Sequence, residues 1–142
     1  MEVMYPGSTA VQRRFELRFV ELEARKPAIV GGAEVMAFEV EHASGAPAFA
    51  LRVECGGKVV AYSGDAAWTA TLLEAAADAD LFVCEAYTAD RAVKFHVDYP
   101  SLLRNAGRIS ARRTILTHMG PSMLALESAE FERACDGMVV EL

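Results

Sequence analysis

The sequence has few cysteines and no long hydrophobic run. Its three cysteines are widely spaced and form no CxxC pair: Cys55, Cys84 and Cys135. This argues against a disulfide framework and against a thiolate zinc site, so we interpret them as small buried residues. No stretch approaches the ~18 uninterrupted apolar residues of a membrane span. The first residues also lack the charge and apolar pattern of a signal peptide. We therefore expect a cytoplasmic protein with no membrane partner.

Basic residues are also scarce. The chain has 14 Lys and Arg against 20 Asp and Glu, which gives a net charge of −6. Unspecific nucleic-acid binding needs clustered cations, so this balance argues against it. One basic cluster surrounds a predicted helix and turn, and we interpret it as a solvated face: Arg104, Arg108, Arg112 and Arg113.

Apolar residues are abundant, at 53% of the 142 residues. This length is typical of one domain. No repeat, low-complexity tract or linker divides the chain, so we expect a single domain over 1–142.

The first half has the period-2 alternation of half-buried strands. This pattern predicts strands at 15–19, 36–40, 49–53 and 59–63, with Gly56-Gly57 turning the last two into a hairpin. The second half alternates helices with short apolar runs. It predicts a helix from Thr69 through Ala77, a buried strand at 81–84, a helix from Asp98 to Gly107 and a buried strand at 113–117. A short helix from about 122 and a strand at 138–142 follow. The fold class is therefore α/β, with a mixed sheet and helices on one face.

The three histidines lie at or just beyond the ends of predicted elements. His42 and His118 follow strands, and His96 precedes a helix. Asp65 follows Ser63-Gly64 at a strand end, where glycine lets the chain bend; it is alternatively the N-cap of the next helix. Asp65, His42 and His118 are residue types that hold a divalent metal, but their spacing leaves open whether they meet. The alternative for each histidine is a surface or hydrogen-bonded role.

Five short segments have a familiar order and spacing. They are EHASGAP at 41–47, YSGDA at 62–66, ADLFVCEAY at 79–87, KFHVDY at 94–99 and ILTHM at 115–119. Together they resemble the second half of a metallo-β-lactamase-fold hydrolase, most closely the ribonuclease Z-like branch. The resemblance implies half of a four-layer αββα sandwich: a mixed β-sheet with helices on its outer face.

The resemblance also implies a role for each matching residue. His42 corresponds to the histidine that completes a first metal site, Asp65 to a carboxylate that bridges two metals, and His118 to the histidine of the second site. Glu85 and His96 correspond to an acid and a histidine that help protonate the leaving group. Two zinc ions so held activate water and polarise a phosphoryl or carbonyl oxygen.

The sequence departs from the family pattern in several places. The HxHxDH motif of the family's N-terminal half, which supplies most metal ligands, is absent. Ala66 stands where the family usually has Thr. Cys84 and Tyr87 stand where the family often has the His and the Thr of the segment His-Glu-Ala-Thr. His96 is followed by Val-Asp where HisSerThr is common. Since a catalytic zinc needs about three protein ligands, we expect at most one weakly held ion.

A half-sandwich would also leave the inner face of its sheet uncovered. We expect this face to include Phe38, Val40, Leu51 and Val53. Monomers rarely expose so large an apolar patch. We therefore predict a homodimer, or association with the missing N-terminal half.

The resemblance predicts a zinc-dependent phosphodiesterase, of the kind that processes tRNA 3′ ends, inactive as an isolated half. Its substrate would be a small-molecule or RNA phosphodiester. The alternatives are a non-catalytic half-domain that complements a partner, a lactonase or β-lactamase-like hydrolase, and a mononuclear iron site with two histidines and one carboxylate. For Glu85 the alternative is a surface residue at a strand end, and for His96 a hydrogen bond to Asp98.

Overall fold

One mixed sheet of seven strands forms the framework of the part of the chain that the structure describes. The computed structural model describes residues 6–7, 10–12, 14–16 and 20–142. The strands lie side by side in sequence order. They are β1 (Ala28–Val30), β2 (Ala33–Val40), β3 (Ala48–Cys55), β4 (Lys58–Tyr62), β5 (Leu81–Glu85), β6 (Thr114–Thr117) and β7 (Glu132–Arg133). The predicted α/β class with a mixed sheet is confirmed.

The connections decide the strand directions. β1 to β4 are antiparallel neighbours, and β3 joins β4 through the predicted Gly56-Gly57 turn. β4 to β7 are parallel because a helix separates each consecutive pair. These helices are α1 (Ala70–Ala75), α2 (Tyr99–Asn105, followed by a 3₁₀ turn over Ala106–Arg108) and α3 (Pro121–Leu124). No helix in the described part of the chain has the length and hydropathy to cross a bilayer.

The helices begin where the sequence predicts, but α1 ends earlier than predicted. α1 follows Thr69, but the Thr69 side chain makes no capping hydrogen bond and the helix ends before Ala77. α2 follows Asp98, whose carboxylate accepts the Ser101 backbone N–H at 2.8 Å. Residues 17–19 of the predicted strand 15–19 lie outside the described residues.

The predicted strand at 138–142 is wrong, because no strand occurs there. The edge of β6 is instead occupied by β7, at 132–133. Arg113 holds Glu132 through two hydrogen bonds of 2.8 Å. Arg133 donates to the carbonyls of Met123 and Leu126. These contacts fix the short strand against β6.

The prediction for the uncovered face is wrong for two of its four residues. Phe38 and Val40 are buried in the same core cluster as Leu72 of α1. Alternation along the strands places Leu51 and Val53 on the opposite face, where they are half-buried. A period-2 pattern identifies the residues that share one face of a strand, but not which faces of paired strands coincide, so the predicted set combines residues from both faces of the sheet.

Asp80 ties the start of β5 to β4. Its carboxylate accepts the Val59 backbone N–H at 2.9 Å, and its own N–H donates to the Val59 carbonyl. The hydrogen bond from the Val59 N–H to the carboxylate, together with the charges of Lys58 and Arg112, lowers the pKa of Asp80. A lowered pKa contributes stability above the unfolded value of about 3.9, and this contribution disappears as pH falls through the folded value. We therefore expect the difference in unfolding free energy between the parent and Asp80→Asn to be present at neutral pH and to shrink in acid. Urea titrations at neutral and acidic pH measure it; a difference that grows in acid would contradict this assignment.

Candidate metal centre

Three neighbouring strands place polar residues at one edge of the sheet. Asp65 follows β4, Glu85 ends β5 and His118 follows β6. Because these strands are parallel neighbours, their carboxyl ends meet at the same edge. His96 reaches this edge from the loop before α2. The prediction that all three histidines follow or precede an element is confirmed.

A tight turn aims Asp65 at this edge. Ser63 extends the pairing past β4, since its N–H donates to the Val83 carbonyl at 3.0 Å and its hydroxyl accepts the Glu85 N–H at 2.8 Å. Gly64 then turns the chain with φ of +61°. A Cβ at Gly64 would lie 2.9 Å from the Phe49 carbonyl oxygen. The turn therefore requires glycine for its backbone angle and for its close packing.

Two imidazoles and a carboxylate meet in front of the turn. Donor atoms of Asp65, His96 and His118 all lie within 4.8 Å of one another. The closest approach between Asp65 and His118 is 3.7 Å, from Oδ2 to Nε2. Imidazole nitrogen and carboxylate oxygen are the donors that zinc and other divalent ions accept in proteins. These residues therefore fit a metal ion.

His42, the other predicted ligand, lies beside this cluster and is not part of it. Its Nδ1 is 3.0 Å from the Phe95 carbonyl oxygen, and its ring packs edge-on against His96 with centroids 5.2 Å apart. Since a carbonyl only accepts, Nδ1 carries the proton and Nε2 keeps the lone pair that a metal needs.

Glu85 is buried beneath the two cluster histidines, with a side chain only 1% exposed. Its Oε2 accepts the backbone N–H groups of Ala66 at 2.8 Å and Val97 at 3.3 Å. Its Oε1 contacts His96 Nδ1 and lies 3.9 Å from His118 Nε2. Glu85 is therefore not a surface residue, and His96 pairs with Glu85 while Asp98 caps the helix.

The carboxylates at this edge act on the groups around them. Partial burial and the negative charges of Asp65 and Glu85 raise the pKa of the Tyr62 hydroxyl. Burial and the Glu85 charge raise the pKa of the Cys84 thiol, which therefore stays protonated and unsuited to bind metal. Cys84 is buried as expected, whereas Cys55 and Cys135 are exposed.

Cavities flank the site on two sides. One of about 570 Å³ lies beside His42 and has an acidic lining that includes Glu39 and Glu41. Another of about 600 Å³ lies beside His118, with a lining that includes Met119 and Cys135. The two cavities therefore adjoin His42 and His118, and neither lining includes Asp65 or His96.

Sequence reasoning missed the contributions of Ser63 and Tyr87. Ser63 joins the ends of β4 and β5, and the Tyr87 ring stacks on His96 and on His118. A signal existed in both cases, because each residue lies within two positions of a predicted site residue. Neither side chain is of a type that suggested chemistry.

A family model described as the beta-lactamase superfamily domain matches residues 3–119. The uncharacterized protein ML1173 of Mycobacterium leprae is 30% identical over 116 residues, which cover 75% of this chain and 40% of that protein.

Solved structures with the same fold confirm the expected architecture. Human tRNase Z, short form, superposes with a TM-score of 0.61 at 23% identity, covering 80% of this chain and 45% of that one. Zinc-bound PqqB from Methylobacterium extorquens superposes with a TM-score of 0.64 at 21% identity, covering 85% of this chain and 55% of that one. The chain thus has a metallo-β-lactamase fold and spans about half the length of the proteins it matches.

Proposed function

Because the chain belongs to the family described as the beta-lactamase superfamily domain, we propose that it supplies half of a zinc-dependent site that hydrolyses phosphodiester bonds. The observation that carries this proposal is the convergence of Asp65, His96 and His118 above the buried Glu85. A bound zinc ion supplies an activated water and polarises a phosphoryl oxygen.

In this proposal Asp65, His118 and His42 hold metal. Asp65 and His118 are already adjacent, and His42 keeps the lone pair of Nε2 for a metal because its Nδ1–H donates to the Phe95 carbonyl. These are three ligands, which suffice for one weakly held ion. A two-ion site needs further ligands from outside the chain.

His96 and Glu85 favour a phosphodiester over a lactam or lactone substrate. An alkoxide leaving group needs a proton, and an imidazole backed by a carboxylate is a suitable donor. Glu85 accepts the hydrogen bond from Nδ1 of His96, so that Nε2 is the nitrogen that takes up a proton and delivers it to the leaving group. We therefore assign His96 to proton transfer, although it lies in the same donor cluster as the ligands.

We infer that the charge distribution of the chain favours a small phosphodiester over a tRNA backbone. Arg112 pairs with Asp80 and Arg113 pairs with Glu132, so these cations are engaged within the chain. The cavity beside His42 has an acidic lining. Each of these features disfavours a long polyanion.

Zinc content distinguishes ligands from the proton donor. We expect the parent to bind close to one zinc per chain at saturation in a zinc titration, and at least about tenfold weaker binding for Asp65→Ala and His118→Ala. His96→Ala should keep its zinc, and Asp90→Ala, which removes an exposed carboxylate, is the matched control. Equal loss in His96→Ala would make His96 a ligand. Absence of zinc from the parent would favour a non-catalytic half-domain.

We further propose that the sheet face opposite the helices binds a second layer, from a second copy or from the family's N-terminal half. This face carries half-buried Leu51 and Val53 and the 43% exposed Tyr62. Light scattering and binding of a hydrophobic dye test the proposal. A monomer that binds no dye would contradict it.

A further inference from the structure

Tyr87 touches both cluster histidines through its ring. The ring centroids of Tyr87 and His96 are 4.7 Å apart with planes 28° from parallel. Those of Tyr87 and His118 are 5.4 Å apart with planes 24° from parallel. The two imidazoles are themselves 5.5 Å apart and nearly parallel. The phenol ring of Tyr87 therefore packs against both imidazole rings at once, with its plane nearly parallel to each of theirs.

The backbone of Tyr87 also joins the two segments that carry these histidines. Its N–H donates to the Val97 carbonyl at 2.8 Å, one residue beyond His96. Its carbonyl accepts the Gly120 N–H at 2.9 Å, two residues beyond His118. Tyr87 is thus bonded to one histidine segment on each side of its peptide, while its ring contacts both imidazoles.

Close packing around Tyr87 leaves its position little freedom. A Cβ at Gly120 would lie 2.7 Å from the Tyr87 carbonyl oxygen and 3.6 Å from its ring. His118 has a left-handed backbone, with φ of +49°, which an L-residue adopts only when its surroundings impose it. Nδ1 of His96 is fixed by Glu85, but that contact leaves rotation about the Glu85–His96 line free, and the Tyr87 ring face limits this rotation.

We propose that Tyr87 is a positioning residue that sets the ring planes of His96 and His118 for metal and substrate. The ring face performs this role, so the hydroxyl is dispensable. Phenylalanine should replace tyrosine, and an aliphatic side chain of similar size should not. The consequence for metal binding rests on the proposed function, whereas the ring geometry does not.

Proton NMR of the metal-free chain tests the geometry directly. In the parent we expect nuclear Overhauser contacts from the Tyr87 ring to the imidazole protons of both His96 and His118, and ring-current shifts of those protons. Tyr87→Phe should keep these shifts and Tyr87→Leu should abolish them. Parent spectra without these contacts, or unchanged imidazole shifts in folded Tyr87→Leu, would overturn the proposal.

Zinc titration of the same variants tests the consequence. We expect Tyr87→Leu to bind zinc about tenfold or more weakly than the parent, as for other residues that orient ligands, and Tyr87→Phe to bind like the parent. Parent-like zinc binding by Tyr87→Leu would overturn the positioning role. A parent that shows the ring contacts but binds no zinc would contradict the proposed function and leave the geometric assignment standing. The parent contacts need no variant, so they remain decisive if Tyr87→Leu does not fold.

Discussion

We expect Gly64→Ala to lower the free energy of unfolding by about 2–5 kcal/mol, the sum of the costs of a left-handed backbone and an overpacked side chain. Gly64 has φ of +61°, and the new methyl group would lie 2.9 Å from the Phe49 carbonyl oxygen. That oxygen belongs to the backbone of β3, so it cannot move without disturbing the sheet. Relief of the contact would also displace the neighbouring Asp65. Urea denaturation measures the loss, and zinc titration of the folded fraction measures the displacement.

Gly56→Ala is the matched control for the packing part of this effect. Gly56 has φ of +58°, close to that of Gly64, but nothing lies within 4 Å of the Cβ position. It should therefore lose only the backbone contribution, about 1–2 kcal/mol. Both substitutions lower the conformational entropy of the unfolded chain by the same amount. This effect on stability therefore cancels when the two variants are compared. Equal losses in the two variants would mean that the contact with Phe49 does not constrain the turn.

Local sequence patterns predict a helix or strand well when that element needs no distant partner to form. Asp98 followed by Tyr-Pro gives a helix start that needs no tertiary information, and the capping bond to Ser101 forms as expected. The strand at 138–142 had a suitable composition, but strand formation needs a partner edge. That edge is taken by β7, which Arg113 and Arg133 hold in place. Such long-range competition leaves no trace in a local window of sequence.

The site divides in the same way. The β-α-β passages of the sequence indicate parallel strands, whose carboxyl ends share one edge of the sheet, but the spacing of Asp65 and His118 leaves open whether they meet there. The orientation of side chains at that edge does not follow from them. His42 turned towards Phe95, and Tyr87 packed against both remaining imidazoles. These contacts depend on loop conformations that spacing alone does not specify.

Glu85→Ala is expected to lower the free energy of unfolding by about 2–6 kcal/mol, because it leaves two buried N–H groups without an acceptor at about 1–3 kcal/mol each. Those groups belong to Ala66 and Val97, and both donate to the same oxygen, Oε2. Thermal and urea denaturation measure the loss. Glu39→Ala, which removes an exposed carboxylate from β2, is the control and should stay within about 0.5 kcal/mol of the parent.

Glu85→Gln separates the structural role of Glu85 from its role towards His96. A glutamine carbonyl in the place of Oε2 keeps both backbone hydrogen bonds. The free energy of unfolding of Glu85→Gln should therefore fall by less than about 1 kcal/mol. Its amide then occupies the place of Oε1 and donates to His96 Nδ1, where the carboxylate accepted. The His96 proton must therefore move to Nε2, which loses its lone pair. Nitrogen-15 NMR of the imidazole reads this tautomer directly. If Glu85→Gln were as unstable as Glu85→Ala, the two backbone hydrogen bonds would not account for the stability that Glu85 provides. If the His96 tautomer did not change, Glu85 would support the backbone alone and would not direct the proton on His96.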